Sequence, residues 1–232
     1  MRWWWLAAAG IGCGVVTDRE PLTLAVRAGG TGVSTLSPDG GGKVELTTFV
    51  VTFSDLRLEE PVSEGLTARL APLVVPAAAW AHPGHDYPGD VAAELLGTWS
   101  VDLLAPDVAL GEAAGYAGEF ATARLVLGGE VARLEGTWTD PDGVTLPFRF
   151  VVDATQPITD LPFEATLSAD TLQPVVVVRF DVVHALSFVD WSAGDEDGDG
   201  VLTEADGSFG NTVQFGVVST DTWSAELQAG GQ

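Results

Sequence analysis

Basic residues are scarce: ten lysines and arginines stand against 33 aspartates and glutamates, a formal charge of −23 over 232 residues. A polyanion would meet a repulsive field, so nucleic acid is excluded as a partner and a bare anionic lipid surface is disfavoured. Cysteine is nearly missing. Cys13 is the single one, so no intramolecular disulfide can form and the fold must rest on its core and on any bound ion. Histidine is limited to three, His82, His85 and His184. No nucleophile elbow, phosphate-binding glycine loop or HExxH helix is present, and no fixed-period repeat occurs. What remains is a chain with 46% hydrophobic residues, enough for one sizeable core, and an excess of carboxylates that calls for bound cations or salt.

The first residues, MRWWWLAAAGIGCG, carry one basic side chain, Arg2, followed by an apolar stretch from Trp3 to Gly12. That stretch is far short of the roughly 20 residues that span a bilayer but suits the hydrophobic region of a signal peptide, assigned here to residues 1–12. Gly10, Ile11, Gly12 and Cys13 resemble the lipobox of bacterial lipoproteins, with Gly12 fitting the position before the cysteine and Gly10 departing from the usual leucine. The resemblance implies that Cys13 is lipidated, that residues 13–21 form a short tether, and that Gly14 after the cysteine directs the protein to the outer membrane or its periplasmic face. A tether of eight residues reaches at most about 28 Å, keeping the folded body near the membrane.

Strand patterns dominate the body. Leu22, Leu24 and Val26 alternate with polar or small residues; after the turn-rich SPDGGGK, Phe49, Val51 and Phe53 share one face. Leu56 and Leu58 continue on the opposite parity, so a bulge or bend is expected near Ser54. Trp99, Val101 and Leu103 alternate again, and Phe120 to Leu127 reads as another strand. Ala132, Leu134 and Trp138 lead through Asp140, Pro141, Asp142 and Gly143 to Leu146, Phe148 and Phe150, the clearest hairpin in the chain. Pro147 places its return strand at an edge or a bulge. Phe163 to Leu167 and the apolar run Val175 to Phe180 add two more strands, the second suited to burial on both faces. With no amphipathic helix of ordinary length before residue 182, the pattern predicts an all-β fold. It would be an antiparallel Greek-key sandwich or partly closed barrel over residues 22–226, with a short C-terminal helical appendage and a disordered tail at 227–232. Trp80, Trp99, Trp138, Trp191 and Trp223 read as core or sheet packing in preference to a carbohydrate-stacking platform.

Between Pro61 and Asp90 the alternation dissolves into a Pro- and Ala-rich excursion ending in AWAHPGHDYPGD. Pro and Gly at the centre of HPGH favour a type II turn that brings the Cα atoms of His82 and His85 within about 7 Å. Two neutral imidazoles suit copper or zinc, with His184, Asp86 or Asp90 completing a set; two exposed turn histidines and an unrelated His184 are the simpler reading. A β-rich body with a histidine-bearing loop is loosely similar to periplasmic copper-handling lipoproteins, in layout and in no diagnostic motif.

The most specific pattern is DEDGDGVLTEAD at 195–206. It resembles the twelve-residue calcium loop of EF-hand and dockerin-type modules. The resemblance implies side-chain ligands from Asp195, Asp197 and Asp199, a sharp turn at Gly200, a backbone carbonyl from Val201, Thr203 binding directly or through water, and Asp206 closing the site. Calcium takes six to eight oxygens at about 2.3 to 2.6 Å, which a tightly coiled loop can converge from consecutive residues. Asp206 stands where EF-hands have glutamate, as in dockerin-type loops. Val182 to Trp191 is compatible with an entering helix, whereas Gly207 and Gly210 argue against a long exiting one. The function expected is therefore an extracytoplasmic, lipid-anchored calcium-binding protein of the cell envelope, non-enzymatic, with a protein or glycan ligand. A copper or zinc handler using His82, His85 and His184 is the second reading and a polysaccharide-acting enzyme the third.

Overall fold

Alternating apolar positions do build strands, nine of them among the described residues: β1 (Pro21–Gly30), β2 (Thr35–Leu36), β3 (Lys43–Glu59), β4 (Val91–Asp102), β5 (Val108–Tyr116), β6 (Gly118–Thr139), β7 (Thr145–Leu167), β8 (Val175–Phe180) and β9 (Trp223–Gln228). The computed structural model describes residues 19–61, 91–168, 170–171, 173–192 and 194–228. The expected signal peptide, Cys13, most of the tether, His82 and His85 lie outside these residues. Between β8 and β9 come two helices, α1 (Val182–Ser187) and α2 (Gly207–Val218), and a 3₁₀ turn at Thr220–Thr222. The strands form one sheet in the order β7-β6-β3-β4-β5-β1-β8-β9, with β2 added to β3. Its two ends, β7 and β9, lie against each other, so the sheet curls into a nearly closed barrel. All pairings are antiparallel except that of β1 with β8, which is parallel.

The bend in β3 falls where the parity of the sequence changes. Phe49, Val51 and Phe53 are buried, then Leu56 and Leu58, and between them Asp55 adopts φ 52° while the pairing with β4 slips between Ser54 and Leu56. One residue in the left-handed region thus returns the apolar face to the core. In β8, three consecutive valines, Val176, Val177 and Val178, are buried, so both of its faces are covered. Inside the barrel Phe49, Phe53, Phe180 and Trp223 meet edge to face, with centroids 4.9 to 5.8 Å apart. Trp99, Trp191 and Trp223 each donate the indole N–H to a backbone carbonyl, and Trp138, Trp191 and Trp223 are buried. Those four tryptophans serve the core.

Three strands differ in extent from the sequence reading. The segments read as separate strands at 120–127 and 132–138 are one strand of 22 residues, and β7 likewise runs unbroken for 23. Gly128 and Gly129 look like a break, yet Gly129 at φ 74° acts as a bend, and the pairing with β7 slips by a residue just beyond it, between Glu130 and Ala132. At the other end β9 continues to Gln228, because Leu227 and Gln228 pair with Val176 and Val175; the first two residues of the expected tail are therefore strand.

Candidate metal centre

The loop 195–206 is seated on the barrel by its own backbone. Leu202, fully buried, donates its N–H to the Pro147 carbonyl at 2.9 Å and accepts the Arg149 N–H at 2.9 Å, a parallel bridge to Phe148 on the outer edge of β7. In a strand, a residue's N–H and C=O point to the same side. The outward Pro147 carbonyl therefore shows that the missing proline donor also faces outward and costs the β6–β7 ladder nothing. Beneath the loop Trp191 meets Trp138, Phe148 and Phe209 at centroid distances of 5.3, 5.6 and 5.1 Å, and Phe150 stacks on Phe209 at 5.0 Å. An aromatic layer thus joins the segment entering the loop, the helix leaving it and the β6–β7 hairpin.

The helix leaving it has twelve residues, correcting the expectation raised by Gly207 and Gly210. Glycine lowers intrinsic helix propensity, but burial of Phe209, Val213 and Val217 outweighs it. Close packing also demands these glycines. A Cβ on Gly210 would lie 2.7 Å from the Glu204 carbonyl oxygen, and one on Gly216 would collide with the Ala185 carbonyl of α1. The entering helix is shorter than the expected 182–191, ending at Ser187. Asp181 caps it, accepting the His184 N–H at 2.9 Å.

Within the loop, Asp195 organises the first turn. Its Oδ1 accepts the N–H groups of Gly198 and Asp199 at 2.7 and 3.2 Å, and its Oδ2 accepts that of Gly200 at 2.7 Å. Asp197 accepts the Asp199 N–H at 3.1 Å and Asp199 accepts that of Val201 at 2.8 Å. Each carboxylate therefore turns the chain back toward the next. Gly198 and Gly200, at φ 75° and 85°, occupy the left-handed region these turns require; of the two, only Gly200 is legible from the motif. The result is that one carboxylate oxygen from each of Asp195, Asp197 and Asp199 lies within 4.8 Å of the others, a spacing that fits ligands about 2.3 to 2.6 Å from a common calcium ion. Among the described residues nothing donates to the Val201 carbonyl, which leaves it available.

Asp206 does a different job from the one the motif implies. It is fully buried and is not among the three converging carboxylates. Its Oδ1 accepts the Glu196 N–H at 3.0 Å and its Oδ2 the Thr203 N–H at 2.7 Å, so it ties the two limbs of the loop together at the start of α2. Thr203 is likewise turned to the exit, its hydroxyl accepting the Ala205 N–H at 3.2 Å. Six of the twelve loop residues are acidic and none is basic. The N–H of Gly200, and then that of Gly198, hold Asp195 below the ordinary carboxylate value despite partial desolvation. For Asp197 the Asp199 N–H acts downward, but desolvation and the charges of Asp199 and Asp206 outweigh it, and the group is raised. The loop already strains against its own charge.

His184 sits on α1, half-buried, with its ring edge to face on Phe188 at 5.0 Å. Among the described residues no other histidine or cysteine stands near it as a ligand partner, and its two expected companions lie outside them.

No protein-family model matches the chain, and no curated protein does. Among solved structures, MbnP from Methylosinus trichosporium is similar at 10% identity over 73% of this chain and 78% of that one, with a TM-score of 0.32. A likeness that distant transfers no property of that protein to this chain. The chain is a mostly-β protein, a nearly closed barrel with a short C-terminal helix beside an aspartate cluster of metal-binding geometry.

Proposed function

We propose that the loop Asp195–Asp206 holds one calcium ion and that the protein is a lipid-anchored, non-enzymatic binding or structural component of the bacterial cell envelope. The observation that carries the calcium reading is the convergence of Asp195, Asp197 and Asp199 in a loop coiled by Gly198 and Gly200. Asp195, Asp197, Asp199 and the Val201 carbonyl supply oxygen ligands, and water completes the shell. Asp206 contributes chiefly by holding the loop closed. The ion offsets the desolvation and the neighbouring carboxylate charge that together raise Asp197, so calcium stabilises the folded loop.

The test is a thermal melt in chelator, calcium and magnesium, with calorimetry to count ions. Free calcium at a hundredfold above Kd contributes about 2.7 kcal/mol, which raises the melting temperature by several degrees. Magnesium does less, since it demands a smaller octahedral shell and releases its waters reluctantly. Converting both Asp195 and Asp199 to alanine abolishes the calcium response. Identical melts in chelator and in calcium, with no calorimetric binding at millimolar concentration, would overturn the reading. Membrane anchoring rests on the lipobox-like Gly10 to Cys13 and has its own test: Cys13→Ala moves the protein from the membrane fraction to the soluble one, because an acyl chain contributes about 0.8 kcal/mol per buried CH₂. Unchanged membrane retention would remove the anchor.

A further inference from the structure

Beside the loop, between the β2–β3 turn, the β6–β7 hairpin turn, residues 187–192 and Gly194, opens a cavity of about 410 Å³. That is within the range of small-molecule sites, about 300 to 1,000 Å³. Its inner side is apolar and aromatic. Trp138 and Trp191, each 5% exposed with ring centroids 5.3 Å apart, line it together with Val189 and Leu146. The turn that forms its roof is held close: Gly42, at φ 81°, passes against the Trp138 ring with no room for a Cβ, and a Cβ on Gly41 would meet Pro141 at 3.4 Å. The cavity is thus built from three segments distant in sequence and fixed by packing, not a crease in one loop.

Its charged lining is of one sign. Asp39, Asp140 and Asp190 stand on it, and among the described residues no lysine, arginine or histidine does. Local hydrogen bonds engage one oxygen of two of them: Asp140 Oδ1 accepts the Val144 N–H at 2.8 Å, and Asp190 Oδ1 accepts both the N–H and the hydroxyl of Ser192. The second oxygens of Asp140 and Asp190, and both oxygens of Asp39, accept no hydrogen bond among the described residues. No ion pair of the described residues neutralises the three. An apolar slot walled by indoles and ringed by uncompensated carboxylates rejects anions and favours a cation with an apolar body. The carboxylates attract the charge, and the apolar lining accepts the body that carries it.

The geometry points to this cavity as a binding site for a small organic cation, an ammonium group carried on an aromatic or aliphatic body. It lies beside the calcium loop and uses none of the three converging loop carboxylates.

Calorimetric titration of the full chain in saturating calcium, which occupies the loop carboxylates, tests it with three probes of one shape: 3-phenylpropylammonium, 3-phenylpropanol and 3-phenylpropionate. The ammonium binds about tenfold or more tighter than the alcohol, and the carboxylate does not bind. Asp39→Asn combined with Asp190→Asn weakens the ammonium about tenfold and leaves the alcohol unchanged. Asparagine retains the Ser192 contact, so the fold is kept. Val144→Trp, at a rim position 56% exposed, fills the mouth and abolishes binding. Equal affinity for ammonium and alcohol would overturn the charge reading. Ammonium binding that survives Val144→Trp would place the cation on other surface carboxylates and overturn the site.

Discussion

The barrel and the loop from Asp195 to Asp206 are held by different forces. The barrel's conformation follows from burial: its strands turn, bend and close wherever that keeps Leu, Val and Phe inside, even at the cost of a left-handed Asp55. The loop's conformation follows from carboxylates accepting backbone N–H groups around Asp195 and Asp206, with a single buried leucine fastening it to the sheet edge. Burial is indifferent to ions and nearly so to pH. A coil of carboxylates is sensitive to both, so the two regions should answer differently to the same perturbation.

The largest contrast comes from aromatic truncation. Phe49→Ala, inside the barrel, and Phe209→Ala, under the loop, each remove a fully buried ring and should each cost about 3 to 5 kcal/mol. The first lowers the melting temperature by the same amount in calcium and in chelator. The second also lowers calcium affinity, since Phe209 fixes α2 and with it Asp206. Equal calcium affinity in the two variants, measured calorimetrically, would mean that the aromatic layer does not couple loop to barrel.

A smaller effect isolates the buried acid. Asp206→Asn keeps the shape but leaves one acceptor oxygen where two are used, so either Glu196 or Thr203 loses its partner. The expected cost is about 1 to 3 kcal/mol, present in chelator as well as calcium, because Asp206 closes the loop whether or not an ion is held. A cost seen only with calcium present would make Asp206 a ligand first and a clasp second.

The smallest effect separates charge from shape. Asp197 is raised, so the stability it contributes is full below the ordinary carboxylate value of about 3.9 and is lost as pH rises through its folded value. Ionised Asp197 therefore opposes loop closure at neutral pH. Asp195, which is lowered, has the opposite sign: its contribution is present above about 3.9 and lost as pH falls through its folded value. Asp197→Asn, which preserves the acceptor for Asp199, should match or slightly exceed the parent's melting temperature in chelator at pH 7. The gap should close below about pH 4, and the calcium response should shrink. A drop in melting temperature at pH 7 in chelator would contradict the repulsion.

What was legible in the sequence divides along the same line. Period-two alternation placed the barrel strands and even the bend near Ser54, because a buried face tolerates no parity error. The continuity of β6 through Gly128 and Gly129 was hidden, since a bend and a break use the same residue. The aspartate spacing disclosed the converging trio of the loop. It did not disclose that Asp206 faces backbone amides, or that α2 needs Gly216 to approach α1, because both facts depend on partners that sequence spacing does not encode.

The bridge from Leu202 to the outer side of β7 has a further consequence for solution behaviour. A strand edge with unpaired N–H and C=O groups is a template onto which another chain can add. With the loop in place, Pro147 and Arg149 are already paired. Whatever loosens the loop uncovers that edge next to Phe148 and Phe150, with only Pro147 and the charge of Arg149 to discourage self-association. Removal of divalent cations should then show itself first as concentration-dependent oligomers, before any loss of the barrel.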